Sequence, residues 1–204
     1  MRSNAMESSW LNQSCGVFEM LFSKFDIEEA LEELVDELAM RTINVTIQIV
    51  GGAAVALQDS REELTQDIDA FHSPSLGFDE AVESVRRKRD WPLTWFNDAA
   101  TMFASHYETE KDWDLKIKRD GVIVMVAGVR LLLAMKLLAG RGRRDATDID
   151  RLLDACRVTS VKQAQEIFDT YYPTESIPYM ALRQREERFA NRGGVDLDKL
   201  CPQG

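Results

Sequence analysis

The chain has 204 residues, 45% of them hydrophobic and 29% charged. That suits one domain, or a core domain with a small helical appendage, and excludes a disordered or low-complexity protein over most of the length. A net charge of −10 and a pI near 4.8 argue against a globally basic nucleic-acid binder, while leaving room for local basic patches. Three cysteines, Cys15, Cys156 and Cys201, lie far apart, and no CxxC occurs. With only two histidines, a structural zinc site is not expected, and a reduced cytoplasm fits best. The most apolar run, Val122 to Gly140, contains Arg130 and Lys136. It reads as a strand followed by a buried helix rather than a membrane span. No signal peptide is read at the start; "MRSNAM" reads as the remnant of an expression tag ending at Met6 and is set aside.

In chain order, "FDIEEALEELVDELAM" places Ile27, Leu31, Leu34, Val35 and Leu38 at helical spacing, with Asp26 as the expected N-cap and Glu29 completing a capping box. "NVTIQIV" alternates Val45, Ile47 and Ile49 against Thr46 and Gln48, which predicts a strand. Gly51-Gly52 stops it, "AAVALQ" reads as a short helix, and "TQDIDAF" as a second strand. "FDEAVESVRRKR" is an expected helix. "WFNDAATMFASH" is another, after the break at Trp91-Pro92. "WDLKIK" and "GVIVMVAG" read as strands joined by the turn-like "RDG". From Val129 onward four helices are expected, in "VRLLLAMKLLAG", "TDIDRLLDAC", "VKQAQEIFDTYY" and "PYMALRQREERFA". The expected division is residues 1–16 as disordered or tag-derived, 17–128 as an α/β core, 129–192 as a helical subdomain and 193–204 as a frayed tail. The fold class is therefore α+β, a small mixed sheet flanked by helices with a helical C-terminal part.

The chemistry concentrates between Val50 and Phe71. Side chains alternate faces along a strand, so Asp67 and Asp69 project to one side and Ile68 to the other. Two carboxylates at that spacing repel, and holding both ionised is costly unless a cation sits between them. Mg²⁺ (or Mn²⁺) suits the pair, being a hard cation commonly shared with substrate phosphates. The glycine pair at a strand-to-helix turn offers backbone N–H groups that can cradle those phosphates. A plainer reading also exists: glycine pairs end many strands, and Asp-hydrophobic-Asp occurs by chance on solvated edges.

This arrangement resembles the minimal nucleotidyltransferases of the DNA polymerase β-like superfamily. Their signature is a hydrophobic residue and Gly-Gly or Gly-Ser, then Asp-hydrophobic-Asp; here it is Val50-Gly51-Gly52 and Asp67-Ile68-Asp69. Within that superfamily the chain looks like the AbiEii-type toxin nucleotidyltransferases, through Gly51, Gly52, Ala53, Ala54, Leu57, Thr65, Asp67, Ile68 and Asp69. It departs from them in a longer gap, around Ser60–Glu63, and in having Glu63 where the family has Arg, with Arg61 an approximate substitute. The likeness continues in "LLLAMKLLAGRGRRDATDIDRLL", where Lys136, Arg144, Asp145 and Asp148 match a helix with a Lys, an Arg-rich loop and an "RD-x-x-D" element. In that family the Lys and an Asp of the element belong to the active site. A third carboxylate in a hydrophobic-Asp-hydrophobic strand is also usual, and Trp113-Asp114-Leu115 fits it. The resemblance covers about Ile47 to Leu153.

What the resemblance implies is a Mg²⁺-dependent enzyme that moves a nucleoside monophosphate from a nucleoside triphosphate to an acceptor hydroxyl. Asp67, Asp69 and Asp114 would be the metal ligands. Gly51, Gly52, Thr65 and Lys136 would bind the nucleotide, with Asp145 and Asp148 completing the catalytic set. Asp114 would be the general base. It further implies a toxin–antitoxin or defence setting, with RNA or tRNA as an acceptor and a cognate antitoxin as a partner.

Other readings stay open beside it. Lys136 can snorkel to solvent, Asp145 or Asp148 can cap a helix, and Asp114 can lie on an exposed face shared with Lys116 and Lys118. Trp91, Trp95 and Phe96 can stack on a base, but at their spacing they suit a core; His72 suits a loop. Arg86–Arg89, Lys116/Lys118/Arg119 and Arg141/Arg143/Arg144 form three basic clusters, suited to RNA or simply to solvated faces. The acidic helix near Asp26–Met40 suits a partner surface or a lid. Two alternative functions follow: a non-catalytic nucleotidyltransferase-like binding module, and a nucleotidyltransferase acting on a small-molecule acceptor.

Overall fold

The computed structural model describes residues 20–58, 64–141 and 145–178, with Ala181 and Phe189. The fold is mixed α+β. Among the described residues it has six α-helices and one five-stranded sheet. Helix α1 (Lys24–Met40) leads into strand β1 (Val45–Ile49), helix α2 (Gly51–Gln58) and strand β2 (Ile68–His72). Helix α3 (Phe78–Arg89) is followed by a two-residue strand β3 (Phe96–Asn97) and a short 3-10 helix (Ala99–Phe103). Strands β4 (Trp113–Arg119) and β5 (Val122–Ala127) then form a hairpin. Helices α4 (Val129–Ala139), α5 (Ala146–Ala155) and α6 (Val161–Tyr171) close the described chain.

The sheet order is β3-β2-β1-β5-β4. β1 runs antiparallel to β2 and parallel to β5, so the sheet is mixed. Residues directly opposite one another share a face. The pairs Ile49–Ala70, Ile47–Val124 and Ile49–Val126 therefore collect the fully buried side chains, including Ile68, on one side. Helices α1 and α2 pack against the sheet. This is the periodicity that "VTIQI" announces: Val45, Ile47 and Ile49 buried, Thr46 and Gln48 half-exposed.

Three expectations need correction. The cap of α1 is Ser23, whose Oγ accepts from the Asp26 N–H while the Asp26 carboxylate takes the Ser23 N–H. Asp26 is thus the N3 residue that closes the capping box, not the N-cap that opens it. "WFNDAATMFASH" is not a single helix: Phe96–Asn97 pairs with β2 before the chain turns into the 3-10 segment. Hydrogen bonding of Ile68 N–H to the Trp95 carbonyl pulls this stretch onto the sheet edge, which local propensity does not foresee. The third concerns β4. A register shift between Leu115 and Ile117 breaks the alternation, so Asp114 (opposite Val126) and Ile117 (opposite Val124) lie on the same face. Asp114 and Lys118 therefore do not share a face as strict alternation requires. The tag remnant, the tail and most of the last expected helix lie outside the described residues, as do Cys15, Cys201, Arg61, Glu63, Arg143 and Arg144. No helix among the described residues is long and apolar enough to cross a membrane.

Trp91 and Trp95 belong to the core. Trp95 is fully buried and meets Trp91 edge-on at 5.3 Å and Phe96 at 5.5 Å; Phe22 covers Trp91 at 4.2 Å. His72 stacks on Phe78 at 3.9 Å. These rings are engaged with one another. Replacing Trp95 by Ala should cost about 3–5 kcal/mol, read as a lower urea midpoint. A loss under about 1 kcal/mol would mean that this cluster does not anchor β3.

Candidate active site

At the end of β1 the chain turns directly into α2. Gly51 makes that turn at φ 67°, in the left-handed region, and a Cβ there would sit 2.5 Å from the Asp69 Oδ2. A Cβ on Gly52 would sit 2.7 Å from the Thr65 Oγ1. Both glycines are required by close approach, and Gly51 by its backbone angle as well. The first-turn N–H groups of a helix have no intrahelical partners, and here they emerge beside the Asp69 carboxylate. Thr65 is pinned by two backbone hydrogen bonds with Phe22, and its hydroxyl donates to the Asp67 carbonyl at 3.1 Å.

Asp67 and Asp69 flank the buried Ile68 and both line one cavity of about 790 Å³. Burial first, and then repulsion from Asp67, push the Asp69 carboxyl up to about 6; Arg141, Lys136 and the Ala100 N–H pull the other way. The pair is electrostatically strained, and a cation between the two carboxylates would relieve it. Gly51, Gly52, Thr65, Asp67 and Asp69 form one wall of the cavity.

The opposite wall comes from α4 and α5. Lys136 projects from an otherwise buried stretch of α4, and its Nζ donates to Asp145 Oδ1 and Asp148 Oδ2, each at 2.7 Å. Burial disfavours the charge on Lys136, but Asp148 and Asp145 outweigh it and hold the ammonium above the ordinary lysine range. Asp145 occupies the N-cap position of α5 without making a side-chain cap bond; its Oδ1 accepts from Lys136, while its Oδ2 is buried without a hydrogen bond. Neither snorkelling nor capping describes this trio. Arg141 follows Gly140, which closes α4 at φ 57°, and its guanidinium lies 5.3 Å from the centre of the Phe103 ring. Arg141 and Phe103 both line the cavity.

The structure thus gathers Gly51, Gly52, Thr65, Asp67, Asp69, Lys136, Asp145 and Asp148 around one pocket. It does not bring Asp114 there. Asp114 lies opposite Val126, on the face shared with Ile49 and Ala70, whereas Asp69 lies on the other face. With β1 and β5 between β2 and β4, at about 4.8 Å per strand, the two carboxylates are also some 14 Å apart across the sheet. Asp114 instead accepts a hydrogen bond from Gln58 Nε2 at 2.6 Å. As a third metal ligand or general base for this pocket it is corrected. Among the described residues, no group of three His, Cys, Asp or Glu converges to hold a metal. Two carboxylates beside the first turn of α2 still fit Mg²⁺, which keeps several waters and needs few protein ligands.

Arg141 and Phe103 of the pocket carried no such role in the sequence, nor did Asn97, which donates to the pocket residue Asp67. Arg141 reads there as one member of a basic cluster, and Asn97 and Phe103 as positions on a helix. Only the glycine after α4 signals that Arg141 would turn out of the helix.

The raised carboxyl of Asp69 has a thermodynamic consequence. Its native pKa of about 6 lies above the unfolded value near 3.8, so the folded state holds the extra proton between those limits. Stability from this group is present at acid pH and falls as pH rises through about 6. Asp69→Asn should therefore raise the Tm of the metal-free protein near neutral pH, with the gain shrinking towards about pH 4. Thermal unfolding of both proteins across that range checks this; a variant less stable at every pH would contradict it.

No protein family, curated protein or solved structure matches the chain.

Proposed function

We propose that the chain is a Mg²⁺-dependent nucleotidyltransferase that moves a nucleoside monophosphate from a nucleoside triphosphate to an acceptor hydroxyl. The observation that carries the reading is the Gly51 turn held against Asp69, beside Asp67, in a cavity large enough for a nucleotide. The resemblance of Gly51-Gly52 and Asp67-Ile68-Asp69 to the AbiEii-type enzymes supports it.

On this reading Asp67 and Asp69 hold the cation, which when bound supplies charge neutralisation at the transferring phosphoryl group. The N–H groups at Gly51 and Gly52 face the polyphosphate. Arg141, stacked on Phe103, is the cation offered to it; Lys136 already has two carboxylate partners and sets the shape of the far wall. The acceptor oxygen attacks the α-phosphorus, the bond to the bridging oxygen breaks, and pyrophosphate leaves with the electron pair. The hydroxyl proton passes to one of the β2 carboxylates, since Asp145 and Asp148 are engaged by Lys136.

The surface charges favour a small acceptor over RNA. Arg86 and Arg87 pair with Glu83, Lys88 with Glu37, and Arg89 with Glu29 and Glu33. Lys116 pairs with Glu28, and Arg119 with Glu32 and Asp36. Much of the basic charge that a phosphate backbone would need is thus matched within the chain. RNA as acceptor, and a toxin–antitoxin setting with a cognate antitoxin, follow from the resemblance alone.

A second reading, a nucleotide-binding module without transfer activity, is favoured by the lack of a third converging carboxylate among the described residues. Calorimetry with ATP, CTP, GTP and UTP in the presence of Mg²⁺ tests both. Wild type should bind at least one nucleotide, and Asp67→Asn with Asp69→Asn should abolish that binding. Arg141→Ala should weaken it by about 10-fold, as for loss of one charge-assisted contact. Pyrophosphate release with hydroxyl-bearing acceptors separates the enzyme from the module. Binding that survives loss of both aspartates would overturn the site assignment.

A further inference from the structure

Asn97 does not line the cavity, but it hydrogen-bonds to Asp67, which does. Strand β3 is only two residues long, yet it runs parallel to β2 and sets Asn97 in register with Asp69. In-register neighbours on adjacent strands share a face at about 4.8 Å. On the other side of Asp69 stands the chain at Val50, fully buried and apolar, whose N–H donates to the Asp69 carbonyl at 2.9 Å. Within the sheet, a third carboxylate beside the pair would therefore stand at position 97, and an amide stands there instead.

That amide is tied down in one orientation. Its Oδ1 accepts from the Ala99 N–H at 2.9 Å, which leaves Nδ2 to donate. Nδ2 donates to the Thr94 carbonyl at 3.3 Å and to Asp67 Oδ2 at 3.1 Å. One oxygen of Asp67 is thus held from behind, while the carboxylate as a whole borders the cavity. Outer partners of this kind orient the groups that bind a metal and shape its affinity. An aspartate at 97 could keep the Ala99 bond, but its second oxygen would face the Thr94 carbonyl and the Asp67 carboxylate.

Resting on the nucleotidyltransferase reading, we infer that Asn97 is a positioning residue for Asp67 and, by occupying the third-carboxylate position, restricts the centre to two anionic ligands, so that the divalent cation is bound as its complex with a polyphosphate rather than alone. Ligand charge sets cation affinity at oxygen sites. With two carboxylates, waters and phosphate oxygens complete the shell, and the phosphate oxygens supply the anionic charge that the chain does not.

Mn²⁺ binding to the intact chain, followed by the electron paramagnetic resonance signal of the free ion, tests this without any turnover. Wild type should bind Mn²⁺ weakly alone and at least about 10-fold more tightly with α,β-methylene-ATP present. Asn97→Asp should bind Mn²⁺ alone at least about 10-fold more tightly than wild type, because a third carboxylate joins the pair. Asn97→Ala should lose about 10- to 100-fold in Mn²⁺ affinity with the analogue present, since Asp67 loses its tether. Wild-type affinity that is unchanged although the analogue is bound to the chain would overturn the inference. So would a folded Asn97→Asp whose affinity for Mn²⁺ alone is unchanged. Should Asn97→Asp not fold, the Asn97→Ala comparison decides, and wild-type affinity there would overturn the tether. Failure of the nucleotide reading looks different. The analogue would then not bind at all, while Mn²⁺ alone would still separate Asn97→Asp from wild type.

Discussion

Two carboxylates one residue apart, one of them largely withdrawn from water, set the terms for the whole site. Asp69 is costly to ionise because it is buried and because Asp67 is its neighbour. The surrounding structure keeps it there regardless. Gly51 leaves no side chain against it, Ala100 donates a backbone N–H, and the cations of Arg141 and Lys136 lie within electrostatic reach. Each of these compensates in part, and none removes the strain. A divalent cation between the two carboxylates, as the proposed function has it, would relieve what remains.

The rest of the charge distribution is largely self-contained. Helix α1 is acidic along its exposed face, and its glutamates take up Lys88 and Arg89 from α3 and Lys116 and Arg119 from β4. These pairs are mostly half-exposed, so each contributes little to stability. Their importance is positional, in holding α1 across α3 and β4. They also consume positive charge that would otherwise face a nucleic acid. The Lys136 trio works by the same logic inside the pocket. An ammonium on an apolar helix is tolerable because two aspartates of α5 come to it, and this joins α4 to α5 at the far wall.

Much of this was legible along the chain because it depends on neighbours in sequence. The alternation in Val45–Ile49, the turn forced by two glycines, and the shared face of Asp67 and Asp69 follow from strand geometry over a few residues. The α+β class and most element boundaries follow from the same periodicities. Two of the errors come from strand pairing, and one, the cap of α1, is local. Ser23 rather than Asp26 caps α1 through a shift of three residues, which periodicity does not resolve. β3 exists only because β2 offers an edge for Phe96 and Asn97 to pair with. A single irregularity in β4 after Leu115 breaks the alternation beyond it, and parity counted along the strand fails at that point.

The sequence by itself therefore determined the elements and the carboxylate pair, since both arise from interactions a few residues apart. Strand order, register and the meeting of β2 with α4 and α5 belong to the tertiary structure, because they join segments up to some eighty residues apart. That level of organisation removed Asp114 from the site, placed Asn97 beside Asp69, and brought Arg141 over Phe103. The pairing of Lys136 with Asp145 and Asp148 shows the two levels together: the residues were visible in the sequence, but only folding shows them spending their charge on one another.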